Sequence, residues 1–194
     1  RFLRPVLPST RYIKADETTL KYLHDEAKGK ASRGWLWVFL APEIKLILFE
    51  FHPGRAYEVP QDILKDFKGV LQTDGLSSYT AAFKDNEEVT LVSCLTHIRR
   101  GFKKGQQQNK ALADEVLTYF NIIYRIEAYA DGKKMDSDQR LALRKKYTKP
   151  FLDKIRAWLL AQQDQHVPGT PLAKLLSMPS TNGTGCICLP KMVK

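Results

Sequence analysis

The chain has 194 residues, 43% of them hydrophobic, which is enough for one domain with a substantial core. Its 31 Lys and Arg oppose 21 Asp and Glu, so the formal net charge of +10 favours a polyanionic partner such as nucleic acid. Charged residues and Pro42 interrupt the longest apolar stretch and no signal peptide opens the chain, so we expect a soluble, cytoplasmic protein without a membrane span. Three cysteines without framework spacing indicate a reducing compartment.

The first half of the chain has the patterns of strands followed by a helix. Apolar runs rich in β-branched and aromatic residues predict three strands, at 11–23, 34–42 and 44–53. The segment 59–69 has helical spacing of Ile, Leu and Phe and ends on a glycine, so it predicts a crossover helix.

A further strand, helix and strand come next. The segment 69–74 predicts a fourth strand, 77–83 a short helix and 88–94 a fifth strand. The order of three strands, helix, strand, helix and strand is that of the α/β ribonuclease-H-like fold, with a mixed sheet of five strands. From His97 onward the apolar positions keep helical spacing, so a helical insertion is predicted after the fifth strand.

Two acids, Asp16 in YIKADETT and Asp74 in GVLQTDG, each end an apolar run. Asp74 followed by Gly75 is by itself typical of a turn, and an ion pair with a nearby Lys or Arg is the other structural interpretation. If the first and fourth strands are parallel neighbours, however, both acids lie at adjacent strand ends. Facing carboxylates repel unless a cation is present, and they suit Mg²⁺ or Mn²⁺ bound together with phosphate oxygens, as in two-metal phosphodiester cleavage. Glu17 should point to the opposite face and be uninvolved.

A basic segment follows the fifth strand. Residues 97–110 contain five Lys and Arg and no acid. Because guanidinium groups pair with phosphates, we predict contacts to the DNA backbone; a solvated helix face is the alternative. The predicted DNA-binding residues are His97, Arg99, Arg100, Lys103 and Lys104. The spacing of Cys94 and His97 also matches one half of a zinc-binding motif. Cys186 and Cys188 could supply the other half, but a Cys-x-Cys pair in the tail is weak evidence for zinc.

Several ordered motifs together carry a resemblance to a known family. They are YIKADETT, RGWLWVFLAP, LFEFHPGR, ILKDFKG, LQTDGLSSY, SCLTHIRRGF and IIYRIE. In this order and spacing, over residues 12–177, the chain resembles the catalytic core of the DDE transposases of insertion-sequence family 66. The chain departs from the family pattern at Leu76, Thr96, Ile98 and Gly101.

The resemblance implies a ribonuclease-H-like domain that cuts and joins DNA ends with Mg²⁺ or Mn²⁺. Asp16 and Asp74 match the first two catalytic acids and metal ligands of the family. Its implied partners are transposon ends and target DNA in the bacterial cytoplasm, with self-association on DNA left open. The departures leave both acids intact but weaken the expectation of DNA contacts near Gly101.

The sequence predicts four regions: an amino-terminal remnant (1–11), the catalytic core (12–130), the helical insertion (131–177) and a tail (178–194). The resemblance places the third acid beyond residue 177, where the family pattern is lost. Read one nucleotide earlier, the codons of Met178 to Gly183 can spell Tyr-Ala-Leu-Asn-Gln-Trp, so we predict that the tail is out of frame and loosely packed.

Without its third acid the chain is predicted to be an inactive fragment of a strand-transfer enzyme. Glu115 and Glu127 are weak candidates to replace that acid. The competing function is a noncatalytic, basic nucleic-acid-binding domain in which the acids are structural. A glycosidase with two carboxylates is disfavoured because the basic helix would have no role in it.

Overall fold

A computed structural model describes residues 4–23, 30–75, 77–107 and 109–161, together with the backbone of a short strand at 187–188. These residues form two compact units, which divide between Cys94 and Leu95. The first unit contains the sheet and the second contains the longer helices. The predicted boundary between residues 130 and 131 falls within the last turn of a helix and stays a prediction.

The first unit is a mixed sheet with short helices. Its strands are β1 (Tyr12–Tyr22), β2 (Ser32–Ala41), β3 (Leu46–His52), β4 (Gly69–Thr73), β5 (Val89–Cys94) and β6 (Ile187–Cys188). The helices α1 (Glu58–Ile63) and α2 (Ser77–Phe83) separate β3 from β4 and β4 from β5, and 3₁₀ turns occupy Arg4–Ser9 and Pro42–Ile44. The spatial order is β3-β2-β1-β4-β5-β6, with antiparallel pairing from β1 to β3 and parallel pairing from β1 to β6. The predicted α/β ribonuclease-H-like fold and its five strands are confirmed, and the two-residue β6 extends the sheet beyond β5.

Strand alternation buries one face of this sheet. Ile13, Trp37, Phe39 and Leu71 are completely buried, and Phe67, in the turn after α1, packs with them. Removing each such side chain from water stabilises the fold by about 1.5–3 kcal/mol. The sheet is therefore fixed firmly at the positions that flank the two predicted acids.

Gly69 allows β4 to approach β1 closely. Its φ is 141°, and a Cβ at this position would lie 2.3 Å from the carbonyl oxygen of Arg11. The neighbouring N–H of Val70 donates to that same oxygen over 2.8 Å, while the N–H of Gly69 donates to Glu88. Only glycine combines a positive φ with the absence of a Cβ, so β4 begins at a residue without a side chain.

One helix is shorter than its sequence-based prediction. The helix predicted over 59–69 ends at Ile63, because Leu64 leaves helical geometry (φ −113°, ψ 21°). The next residues form a turn in which the N–H of Phe67 donates to the carbonyl of Leu64 over 3.0 Å. The strand predicted over 11–23 is observed as β1, whose antiparallel ladder with β2 extends to Tyr22.

The second unit consists of helices that follow β5 in the chain. They are α3 (Leu95–Gly105), α4 (Lys110–Gly132), α5 (Ser137–Leu143) and α6 (Lys149–Ala161), with a π-helical turn at Arg144–Thr148. The ring of Phe102 lies 6.0 Å from that of Phe120 and 5.4 Å from that of Trp158, so α3, α4 and α6 share one core. In the part of the chain that the structure describes, no helix combines the length and apolar character that crossing a membrane requires. The tail predicted at 178–194 lies outside the described residues, apart from the backbone of β6.

Candidate active site and nucleic-acid interface

Asp16 and Asp74 lie on neighbouring parallel segments of the chain, because β1 pairs with β4 just before each acid. The parallel pairs are Tyr12 with Val70, Ile13 with Leu71 and Lys14 with Gln72. Asp16 and Asp74 each lie two residues beyond the last of these pairs, so an extension of the same register would set them side by side. That the two carboxylates bridge one cation stays a prediction.

The expectation that both acids end a strand is wrong for Asp16. Asp16 is the fifth residue of the 11-residue β1, because β2 continues to pair with β1 beyond it. Asp74, in contrast, directly follows β4 and precedes Gly75, which has a φ of 89°. The N–H of Gly75 donates to the hydroxyl of Thr73 over 3.2 Å, so a turn holds the backbone around Asp74.

Glu17 is enclosed at this site, contrary to the expectation that it would be uninvolved. Strand alternation turns it toward the core face, where only 1% of its side chain is exposed. Arg55 donates from Nε to Glu17 Oε1 over 3.2 Å and also pairs through Nη2, while the Tyr79 hydroxyl donates to Oε2 over 3.3 Å. Glu17 is therefore a buried carboxylate held by a guanidinium group and a hydroxyl.

Burial raises the pKa of Glu17, the hydrogen bond from Arg55 lowers it, and the charges of Asp74 and Asp16 raise it further, with a net upward shift. Burial also raises the pKa of Tyr79, and Glu17, Asp74 and Asp16 add to that shift. Both side chains thus lie within electrostatic reach of the two aspartates. Strand alternation predicts the correct face for Glu17 but does not predict its electrostatic coupling to the two aspartates.

Arg55 and Tyr79 are site residues that the sequence did not reveal. The guanidinium carbon of Arg55 lies 4.4 Å from the ring centroid of Trp35, and Tyr79 packs edge-on against Trp37 at 5.8 Å. Arg55 follows β3 and Tyr79 belongs to α2, so 38 and 62 residues separate them from Glu17. No local sequence pattern predicts such contacts.

The oxygen donors at this site suit a hard divalent cation. Asp16 is exposed and Asp74 is half-buried, so a cation, its water ligands and a phosphate have access to both. Mg²⁺ commonly takes one or two protein carboxylates and completes its shell with water and substrate oxygens. Among the residues described, no group of three or more His, Cys, Asp or Glu is arranged to hold a metal ion. Asp16 and Asp74 are the two carboxylates that we consider as protein ligands of this cation.

Glu115 and Glu127, the candidates for a third acid, both lie on α4 in the helical unit. Glu127 accepts hydrogen bonds from Arg144 Nε at 2.8 Å and Nη2 at 2.6 Å, and from Arg140 Nη1 at 3.3 Å. Glu115 is exposed on α4. Glu127 therefore holds α4 to α5 and the π-helical turn, which is a structural role.

The predicted DNA-binding residues all lie on α3, in the second unit. Arg100, Lys103 and Lys104 are exposed, whereas His97 and Arg99 are half-buried. The buried positions of the helix are Leu95, Ile98, Phe102 and Gly105. The helix is thus amphipathic, with its basic side chains outside the apolar stripe. Their contact with DNA stays a prediction.

For the zinc hypothesis, the structure describes the backbone pairing of two of the four residues. The backbone of Cys188 in β6 pairs with that of Cys94 in β5. The Cys186 that this hypothesis also requires lies outside the described residues.

Comparison with known proteins gives one family and two relatives. The sequence model of the Transposase IS66 family matches residues 2–185. The uncharacterized protein y4qI of Sinorhizobium fredii (strain NBRC 101917 / NGR234) is 31% identical over 149 residues, covering 68% of this chain and 26% of that protein. The uncharacterized protein y4hP of the same strain is 23% identical over 174 residues, covering 78% of this chain and 31% of that protein. The chain thus spans between a quarter and a third of these relatives, and no solved structure matches it.

Proposed function

Because the chain belongs to the Transposase IS66 family, we propose that it forms part of the catalytic region of an enzyme that cleaves DNA and transfers the cut strands. The observation that supports this proposal is the parallel register of β1 and β4, whose last pair, Lys14 with Gln72, lies two residues before Asp16 and Asp74. The implied DNA partners are the ends of a mobile element and its target. The place of action would be the bacterial cytoplasm, where this DNA lies.

In this proposal, Asp16 and Asp74 hold Mg²⁺ or Mn²⁺. The bound metal would help to activate the attacking oxygen and stabilise the leaving oxygen of a phosphodiester. Asp16, which is exposed, and Asp74, which is half-buried, supply anionic oxygen ligands. Glu17, held by Arg55 and Tyr79, would fix the adjacent backbone of β1 and so the position of Asp16.

The basic face of α3 is proposed to hold the DNA backbone. Arg100, Lys103 and Lys104 are exposed and close together on this helix. Such contacts position DNA without selecting its sequence. DNA affinity should accordingly be similar for unrelated sequences and should fall as the salt concentration rises.

We further propose that the chain as written binds DNA but does not transfer strands. A site with two carboxylates instead of three would hold its second metal ion poorly. The tail at 178–194 remains predicted to be out of frame, although the family match extends to residue 185. The nucleotide sequence through codon 177 tests that prediction, and a gene with the original frame intact would refute it.

Metal titration with charge-matched variants tests the acid pair. Mg²⁺ or Mn²⁺ should raise the melting temperature of the wild-type chain, and D16N or D74N should each abolish the rise, because each removes a ligand. D66N is the matched control, since Asp66 is exposed and has no hydrogen bond or ion pair within the described part of the chain. A wild-type chain that ignores both metals, or a D16N chain that responds as strongly as wild type, would contradict the assignment.

A noncatalytic nucleic-acid-binding domain is the second candidate. A basic surface is all that it requires, and α3 exposes Arg100, Lys103 and Lys104. In that case DNA binding would be the same with and without divalent metal, and D16N would bind DNA like the wild type. Metal-dependent melting that D16N abolishes would decide for the enzyme.

A further inference from the structure

A groove between α3 and α4 lies within the helical unit. Its volume is about 570 Å³, and its lining residues are Arg99, Asn121, Tyr124, Arg125 and Ala128. The four residues from α4 have the spacing i, i+3, i+4 and i+7, which places them on one face of that helix. The small side chain of Ala128 leaves space at one end, and none of the described residues that line the groove is acidic.

Tyr124 and Arg99 hold each other in place across this groove. The hydroxyl oxygen of Tyr124 lies 3.3 Å from the hydroxyl of Thr96, and the guanidinium carbon of Arg99 lies 5.6 Å from the Tyr124 ring centroid. The Arg99 Nε is buried without a hydrogen-bond partner in the described part of the chain. A guanidinium that stacks on an aromatic face keeps its outer N–H groups available to an anion.

The charge in the groove is not neutralised by neighbouring carboxylates. Within the described residues, neither Arg99 nor Arg125 forms an ion pair, whereas Arg140 and Arg144 on the same unit both bind Glu127. Glu127 is only two positions from Arg125 in sequence, yet its carboxylate is engaged by those two arginines. The groove is consequently cationic and rich in hydrogen-bond donors.

We propose that this groove binds a backbone phosphate of a DNA strand. Arg99 and Arg125 are its cationic contacts, the Asn121 amide is a neutral donor, and the Tyr124 ring supports the adjoining sugar or base. Two guanidinium groups match the two non-bridging oxygens of a phosphodiester, and the groove has the volume of a typical small-ligand site. This inference rests on the proposed function and adds three residues of α4 to the predicted contacts of α3.

Fluorescence anisotropy with labelled duplex and single-stranded DNA tests the groove. R99A and R125A should each weaken binding about tenfold, since each removes charge-assisted hydrogen bonds. Each should also reduce the slope of log affinity against log salt by about 1. N121D should weaken binding at least as strongly, because it places a carboxylate beside the phosphate.

R156A is the matched control. Arg156 is exposed on α6 and forms no ion pair in the described region, so its loss changes the net charge without altering the groove. Circular dichroism melting of each variant separates loss of contacts from loss of folding.

The outcomes distinguish the groove from the function on which it rests. If wild type binds DNA and the groove variants bind as R156A does, the groove assignment is wrong and the DNA-binding function stands. If wild type does not bind DNA even at low salt, the proposed function fails. A mononucleotide or inorganic phosphate that binds as tightly as DNA, and depends on Arg99, would make the groove a small-anion site and overturn the DNA assignment.

Discussion

Glu17 shows how a single carboxylate is accommodated beside two others. It is withdrawn from solvent, and its charge is met by Arg55 and by the hydroxyl of Tyr79. Arg55 is in turn positioned by the ring of Trp35. These residues connect β1, β2, the segment after β3 and α2, so one ionic contact joins much of the sheet unit.

Replacing Arg55 by Ala should destabilise the chain by about 1–3 kcal/mol, because the buried carboxylate of Glu17 loses its cation. The value lies at the low end for buried pairs, since 37% of the Arg55 side chain is exposed. Urea denaturation measures the change, and the double variant R55A/E17Q should recover part of the loss. R33A is the control, because Arg33 is exposed and unpaired within the described residues. Equal effects of R55A and R33A would show that the pair contributes nothing.

At the scale of elements, side chains fix the corner between α3 and α4. Asp114 accepts from Gln106 Nε2 over 2.6 Å and from Lys110 Nζ over 2.5 Å. Asn109 caps α4 by accepting from the N–H of Leu112 over 3.1 Å. Gln106 lies just beyond α3, so Asp114 connects the end of one helix to the first turns of the next. These contacts hold the two helices that form the groove.

D114N should destabilise the chain near neutral pH but not in acid. The hydrogen bonds from Lys110 and Gln106 lower the pKa of Asp114, so the ionised form stabilises the folded state. This stabilisation is present above the ordinary aspartate pKa and is lost as the pH falls through the lowered value. Thermal melting from pH 2 to pH 7 measures the difference, with E115Q on the same exposed helix as control. A D114N deficit that is constant with pH would refute the ionic explanation.

Most elements could be predicted from sequence because their signals are local. The strand β2 is a continuous apolar run, and its position was predicted to within two residues at its start and one at its end. The early end of α1 at Ile63 was not predictable from an apolar spacing that continues to Phe67. The parallel pairing of β1 with β4 could be predicted from the order of the elements, and the acid pair that it suggests stays a prediction. The contact of Glu17 with Arg55 could not, since it depends on packing across 38 residues.

At the scale of the whole molecule, the positive charge is unevenly distributed. Residues 1–94 contain 13 Lys and Arg and 13 Asp and Glu, whereas residues 95–161 contain 15 Lys and Arg against seven acids. The sequence that forms the sheet is therefore electrically balanced, and the helical sequence carries most of the net charge. Attraction to polyanions is thus concentrated in the helical unit.

Neutralising charge in the two units should have unequal effects on DNA binding. K103Q/K104Q should reduce the slope of log affinity against log salt by about 2, while R33Q/K65Q should leave it nearly unchanged. Both double variants remove two positive charges at exposed positions. Titrations at several salt concentrations measure the slopes, and equal reductions would show that DNA also lies along the sheet unit.

Gly69 has a consequence for how the acid pair tolerates sequence change. It sits five residues before Asp74, and it is where β4 meets the backbone of Arg11. At about 3.3 Å per residue, Gly69 lies roughly 17 Å along the chain from Asp74. Gly69 nevertheless helps to set the position of Asp74, because it allows the start of β4 to lie against β1. Two homologous chains can therefore share both acids and still differ in whether the acids face each other. The difference arises if only one of the chains has glycine at the position of Gly69. A survey of active-site residues alone would count both as intact, although the decisive difference would be a single methyl group at the far end of the strand.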